Sequence, residues 1–234
     1  MANRKSYRMR RTVVVLVGLL VFSCALFTSS HMWQQQQVLG DTSGQELVES
    51  EALRALQQLE VKGRAPKTGY ERRQFGDGWE NKNGCDTRNT ILYRDLTNAV
   101  VNESCKVMSG VLNDPYTGVL LSFSRGEKTS QAVQIDHVVA LSNAWQTGAQ
   151  QLTLEDRIRF ANDPLNLLAV DGPANQQKSD SDAATWLPPN KLFRCQYIAR
   201  QIAVKVKYSL WVVEAEKRAM ARVLDQCPAQ ALPS

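Results

Sequence analysis

TSQAVQIDHVVALSNAW (129–145) and FANDPLNLLAVDGPANQQKSD (160–180) are the stretches on which the reading of this chain turns. Val133 to Asp136 has strand character and runs into His137. At the end of a strand, adjacent side chains point to opposite sides, so the pattern sends Asp136 one way and His137 the other. Helical patterns at about 142–149 and 153–161 separate this strand from a second short apolar one, Leu167 to Val170. Gly172 and Pro173 break that strand and start a helix through Asn175 and Lys178. The last two are three apart, so on a helix they are expected to share a face.

Histidine is scarce, and the scarcity narrows the chemistry. The chain has two, and His31 falls in a polar, Gln-rich stretch, which leaves His137 as the candidate base of the domain. Zinc held by three histidines is excluded. Without a Gly-x-Ser-x-Gly elbow, a serine hydrolase is set aside. Asp136 and Asn175 are two oxygen donors of the kind a hard divalent cation takes, alongside water and substrate phosphate.

Asp-His, then an Asn before a strand, then an Asn on the following helix resembles the HNH (ββα-metal) nucleases. The chain is most similar to GmrSD-type HNH domains and to exported bacterial proteins of the HNH endonuclease family. The likeness spans about residues 60–227 and includes YERRQFGDGW, NGCDTRN and DPYTG besides the two stretches above. It implies His137 as general base, Asp136 as first metal ligand, Asn166 as the residue that orients the base through a backbone contact, and Asn175 as the ligand on the helix. Asn replaces the last His of the family name. Asn also stands there in the HNH domain of RNA-guided CRISPR nucleases, and it favours Mg²⁺, with Mn²⁺ second, over Zn²⁺. The resemblance further implies 5′-phosphate ends; in the expected hydrolysis Lys178 or Arg88 would add electrostatic stabilisation. An ordinary imidazole pKa of ~6.5 is expected to serve the base.

TGYERRQFGDGW (68–79) and CDTRN (85–89) form a second candidate surface. Arg72, Arg73 and Arg88 are the phosphate-binding candidates there, with Tyr70 or Trp79 as stacking platforms. Nucleic acid is the expected partner, DNA ahead of RNA, and the protein is expected to be a monomer. The competing reading is a disulfide-stapled binding module that kept the nuclease fold without catalysis.

Global charge adds nothing to that case. The formal net charge of +5 comes from Arg4, Lys5, Arg8, Arg10 and Arg11, and the remaining 23 basic residues balance the 23 acidic ones. Those five precede an uncharged apolar run, Thr12 to Thr28, the pattern of an export signal or anchor. The expected organisation is a signal or membrane anchor over 1–30, a polar spacer over 31–41, and one domain over 42–234. Localisation is read as secreted, or anchored to the outer face of the cytoplasmic membrane of a bacterium, with membrane contact only through the N-terminal segment.

Export makes the cysteines readable as disulfides. Setting Cys24 aside, Cys85, Cys105, Cys195 and Cys227 remain. Three pairings are open, and proximity favours Cys85–Cys105 with Cys195–Cys227. Their spacings are too wide for paired zinc knuckles. Elsewhere a capping box at Ser43 and Glu46 opens a helix ending by Gly63, and Thr87 to Val101 reads as a helix. Strands near Cys105–Ser109 and Val119–Phe123 flank a DPYTG turn, and helices fill about 190–208 and 212–226. The fold class is α+β: a single domain with a ββα-metal (HNH) core surrounded by helices.

Overall fold

The computed structural model describes residues 50–127 and 129–233. The expected export segment, the spacer and the capping box at Ser43 lie outside the described residues. Among the described residues no helix is long and apolar enough to cross a membrane.

Helices alternate with small antiparallel sheets. In chain order these are α1 (Glu51–Gln58), β1 (Asn81–Lys82), β2 (Cys85–Asp86), α2 (Thr87–Asp95), β3 (Leu96–Val101), β4 (Val107–Asn113) and β5 (Leu120–Ser124). Then come β6 (Val133–His137), α3 (Leu141–Gln146), α4 (Leu154–Ala161), β7 (Leu167–Asp171), α5 (Gly172–Lys178), α6 (Arg194–Lys207) and α7 (Glu214–Leu224). The sheets are β1–β2, β3–β4–β5 and β6–β7.

One expectation is corrected here. The helix read over Thr87–Val101 stops at Asp95, and Leu96–Val101 is a strand paired antiparallel with β4. Thr97, Val100 and Val101 are β-branched and suit a pleated surface. What converts that preference into a strand is the partner, Leu96 opposite Leu112 and Thr97 opposite Val111.

The β6–β7 hairpin is buried on both faces, and its side chains alternate between two cores. Val133, Ile135, Leu167 and Ala169 pack with Ile91 and Leu92 of α2 and Phe123 of β5. Leu168 and Val170 pack with Ile198 and Ile202 of α6 and Met220 of α7. Each fully buried aliphatic side chain contributes about 1.5–3 kcal/mol. A one-residue slip would exchange the two sets, so the register that places His137 opposite Leu167 and Asp136 opposite Leu168 is strongly specified.

Two further devices hold the hairpin. The Asp95 carboxylate at the end of α2 accepts from the Ala169 amide (2.8 Å), while Arg94 donates to the carbonyls of Pro164 (2.8 Å) and Leu167 (2.7 Å). At the turn into α5, a Cβ on Gly172 would sit 2.3 Å from the Gln131 carbonyl. Only glycine lets the helix begin this close to the chain entering β6. Asp171 caps α5 by accepting from the Ala174 amide (2.8 Å).

Both disulfides favoured by proximity are present. Cys85–Cys105 joins β2 to the approach to β4, and Cys195–Cys227 joins the start of α6 to the chain beyond α7.

Candidate active site

His137 ends β6 with its imidazole buried. Nε2 lies 2.9 Å from the Ala161 carbonyl at the end of α4. A carbonyl only accepts, so Nε2 carries the proton and Nδ1 is left with a free lone pair. Trp79 stacks on the ring, with centroids 5.5 Å apart and planes 12° from parallel. Burial pushes the imidazole pKa down to about 3, against the opposing Ala161 bond, and Arg72 and Lys178 lower it further. The expectation of an ordinary imidazole near ~6.5 is corrected accordingly. The low value arises from desolvation of the charged form, which no sequence pattern displays.

Asn166 sits just before β7 and is fully buried. Its Oδ1 accepts from the Val139 amide (2.8 Å) and its Nδ2 donates to the Val139 carbonyl (3.3 Å). Its own carbonyl accepts from the Val138 amide (2.8 Å). The chain leaving His137 is thus clamped at both following residues.

Asp136 is buried on the other face of β6. Its carboxylate accepts from the Tyr116 hydroxyl, and Lys178 Nζ lies 3.0 Å from each of its two oxygens. Lys178 also donates to the His137 carbonyl (2.9 Å) and is 0% exposed. Burial pushes the Asp136 carboxyl above its usual range, against the opposing pull of Lys178 and Tyr116.

Asn175 and Lys178 do share a face of α5: Asn175 bonds Gln134 and Lys178 bonds Asp136, two residues on the same side of β6. Three residues are about 300° of helix, so the two side chains diverge by roughly 60°. Within that shared face, Asn175 is half-buried at the surface and Lys178 is fully buried.

Arg72, Arg88, Asp136, His137 and Asn175 line one polar cleft. Arg88 reaches it from α2 and donates to the carbonyls of Val133 (3.2 Å) and Ser130 (3.4 Å). Burial, then Arg125, lowers its pKa, while Asp86 opposes them. Tyr70 also lines this cleft. Arg73 lies apart from it. It pairs with Glu71 and borders an adjoining hollow, also lined by Phe75 and Trp79, that shares Arg72, His137 and Leu141 with the cleft.

Among the described residues no group of three or more His, Cys, Asp or Glu is placed to hold a metal ion. The donors that a cation would find are one carboxylate, Asp136, and one amide, Asn175. Asn175 Nδ2 donates to Gln134 Oε1 (2.8 Å), which turns Nδ2 away and leaves Oδ1 as the ligating atom. Mg²⁺ is commonly held by one or two carboxylates, with water and substrate phosphate completing the shell. The donor set fits a cation bound in that way, and it does not make a self-sufficient protein cage.

Sequence reasoning missed Tyr116, Gln134 and the Ala161 carbonyl. Tyr116 lies in DPYTG, which reads as a turn and is one. Asp114 accepts from the Thr117 amide (2.7 Å) and hydroxyl (2.6 Å), and its other oxygen accepts from the Asp171 amide (2.9 Å). The turn is thereby fastened to the end of β7, which delivers Tyr116 to Asp136. A backbone carbonyl such as that of Ala161 has no residue-type signal at all.

The family model for the C-terminal domain of GmrSD restriction endonucleases matches residues 86–223. That span contains Arg88, Asp136, His137, Asn166, Asn175 and Lys178 and leaves out Arg72 and Arg73. A protein of Arthroderma benhamiae described as an uncharacterized secreted protein is 39% identical over 180 residues, covering 76% of this chain and 85% of that relative. No solved structure matches.

Proposed function

Starting from the fact that this chain belongs to the family of the GmrSD restriction endonuclease C-terminal domain, we propose that it is an exported endonuclease that hydrolyses nucleic-acid phosphodiesters with one divalent cation and with His137 as general base. The observation that carries this reading is the convergence of Arg88, Asp136, His137 and Asn175 on one cleft. They arrive there from a helix, a strand and the helix that follows its partner strand.

His137 works through Nδ1, which accepts the proton of the attacking water while Nε2–H stays bonded to the Ala161 carbonyl. The water oxygen bonds to phosphorus as the bond to the 3′ oxygen breaks. The departing oxygen takes a proton from solvent, leaving 5′-phosphate and 3′-hydroxyl ends. The imidazolium formed is stabilised by the Ala161 carbonyl and by the Trp79 ring face. A bound phosphate is an anion beside the ring and raises its pKa from the depressed value of the free protein. Asn166 holds the chain beyond His137 in place, and Arg72 and Arg88 hold phosphate oxygens.

Asp136 and Asn175 would hold the cation, Mg²⁺ before Mn²⁺. When bound, it neutralises charge growing on the scissile phosphate and the leaving oxygen. DNA is the proposed substrate ahead of RNA, and the protein acts as a monomer.

Two findings support export: the relative is described as secreted, and two disulfides are present. We assign the signal or anchor to residues 1–30. The relative lends nothing to the bacterial or membrane-anchored part of the expectation.

One observation favours the rival, non-catalytic reading: the Asp136 carboxylate already carries an internal cation, Lys178. Incubating the purified domain with plasmid, single-stranded DNA and RNA, with Mg²⁺ or EDTA, separates the two. Cleavage that needs Mg²⁺ and disappears in His137→Ala supports the nuclease. Intact substrates in every arm would leave the binding module standing.

A further inference from the structure

Lys178 sits on the carboxylate that the proposed reaction needs for its cation. Its Nζ is 3.0 Å from both Asp136 oxygens and 2.9 Å from the His137 carbonyl, and the side chain is 0% exposed. The Tyr116 hydroxyl occupies the carboxylate as well. Asp136 therefore accepts hydrogen bonds from both Tyr116 and Lys178, and its charge is balanced before any ligand arrives. Asp136 is the only carboxylate among the described residues that line the cleft, whereas Arg72 and Arg88 add two further positive charges to it.

A divalent cation approaching this cleft alone meets an excess of positive charge and a neutralised ligand. Like charges at close range disfavour one another, most strongly where water is excluded. A phosphodiester meets the opposite field: it is attracted by Arg72, Arg88 and Lys178 together, and its oxygens add anionic ligands that the protein lacks. We infer that Lys178 is a built-in counter-cation that keeps the free protein's affinity for divalent metal low, so that metal and nucleic-acid phosphate are held together or not at all. This rests on the proposed nuclease reading and adds an order of assembly to it. Lys178 acts through Asp136, as a positioning residue that tunes the ligand, and not by touching substrate.

The two ligands are consequently coupled, and coupling between bound ligands is reciprocal. Nucleic acid raises metal affinity and metal raises nucleic-acid affinity by the same factor. Removing the ammonium while keeping the bulk of the stem, in Lys178→Met, frees the carboxylate and weakens that coupling.

The test is calorimetric titration of Mn²⁺ into the free wild-type domain, into Lys178→Met, and into His137→Ala with and without a short DNA duplex. His137→Ala is used with the duplex because loss of the general base is expected to slow cutting by ~10²–10⁴. The inference expects Lys178→Met to bind Mn²⁺ at least tenfold more tightly than wild type. It also expects the duplex to tighten Mn²⁺ binding to His137→Ala at least tenfold. Equal Mn²⁺ affinity in wild type and in folded Lys178→Met overturns the counter-cation and leaves the nuclease reading intact. Should Lys178→Met fail to fold, the duplex arm decides alone, and Mn²⁺ affinity unchanged by DNA overturns the inference. No Mn²⁺ bound in any arm overturns both this inference and the metal-dependent reading beneath it.

Discussion

Trp79 lies face to face with His137, ring planes 12° from parallel and centroids 5.5 Å apart. With the Ala161 carbonyl on Nε2 at 2.9 Å, the indole holds the imidazole in one plane. Tryptophan is the best of the aromatic faces for a cation, so this contact strengthens as the ring takes a proton. His137→Ala should lower the cleavage rate by ~10²–10⁴, the usual loss for a general base. Trp79→Ala should lower kcat about tenfold and leave KM within about twofold. That outcome reflects contacts made chiefly when the ring is charged. A Trp79→Ala enzyme with raised KM and normal kcat would mean that Trp79 binds substrate instead.

The buried imidazole also predicts a pH dependence of stability. Its folded pKa, pushed down to about 3 by burial, lies below an unfolded value of ~6.5. Between those values the unfolded chain binds a proton that the folded chain refuses, so folding stability falls as pH drops. The full contribution is present above ~6.5 and is lost progressively toward pH 3, at roughly 1.4 kcal/mol per pH unit for one proton. Urea denaturation of wild type and His137→Asn at a series of pH values isolates this group from the carboxylates common to both. The difference between the two should change with that slope below pH ~6.5 and be flat above it. A flat difference across the whole range would mean that the ring is solvated in the folded protein.

Asn166 bonds both the amide and the carbonyl of Val139, two residues past His137. Asn166→Ala leaves two buried backbone groups without partners, and each such group costs about 1–3 kcal/mol. Equilibrium denaturation should show a loss of ~2–6 kcal/mol on this account. Activity measured well below the new melting point should still fall, because the chain carrying His137 is released. Full activity in the folded variant would confine Asn166 to a structural role.

The two disulfides should separate by phenotype. Cys85–Cys105 spans 20 residues and lies beside Arg88, whereas Cys195–Cys227 spans 32 and joins helices remote in sequence from the cleft. On the chain-entropy account each contributes roughly 3–4 kcal/mol. Cys105→Ser should impair cleavage even where the domain is fully folded. Cys227→Ser should lower Tm with kcat/KM nearly unchanged below it. Parallel melting curves and rate measurements check both. Equal effects of the two variants on cleavage of the folded protein would rule out a link between the first bridge and the site.

Much of this molecule follows from patterns a few residues long. The two short strands, Val133–Asp136 and Leu167–Val170, were legible as strands, although their antiparallel pairing was not. A strand's period of two puts Asp136 and His137 on opposite sides, and the short spacings favoured the two disulfides observed. Features that depend on distant partners were not legible. Leu96–Val101 became a strand because β4 offered an edge, although its neighbours also suited a helix. Lys178 turned inward because Asp136, 42 residues away, supplied a charge to pair with. Tyr116 reached the same carboxylate across 20 residues, and the low pKa of His137 follows from the layers closed over it. Backbone propensity and side-chain parity are properties of neighbouring residues, so sequence alone determined them. Desolvation and charge pairing depend on which groups share a space that excludes water, and only the tertiary structure decided that.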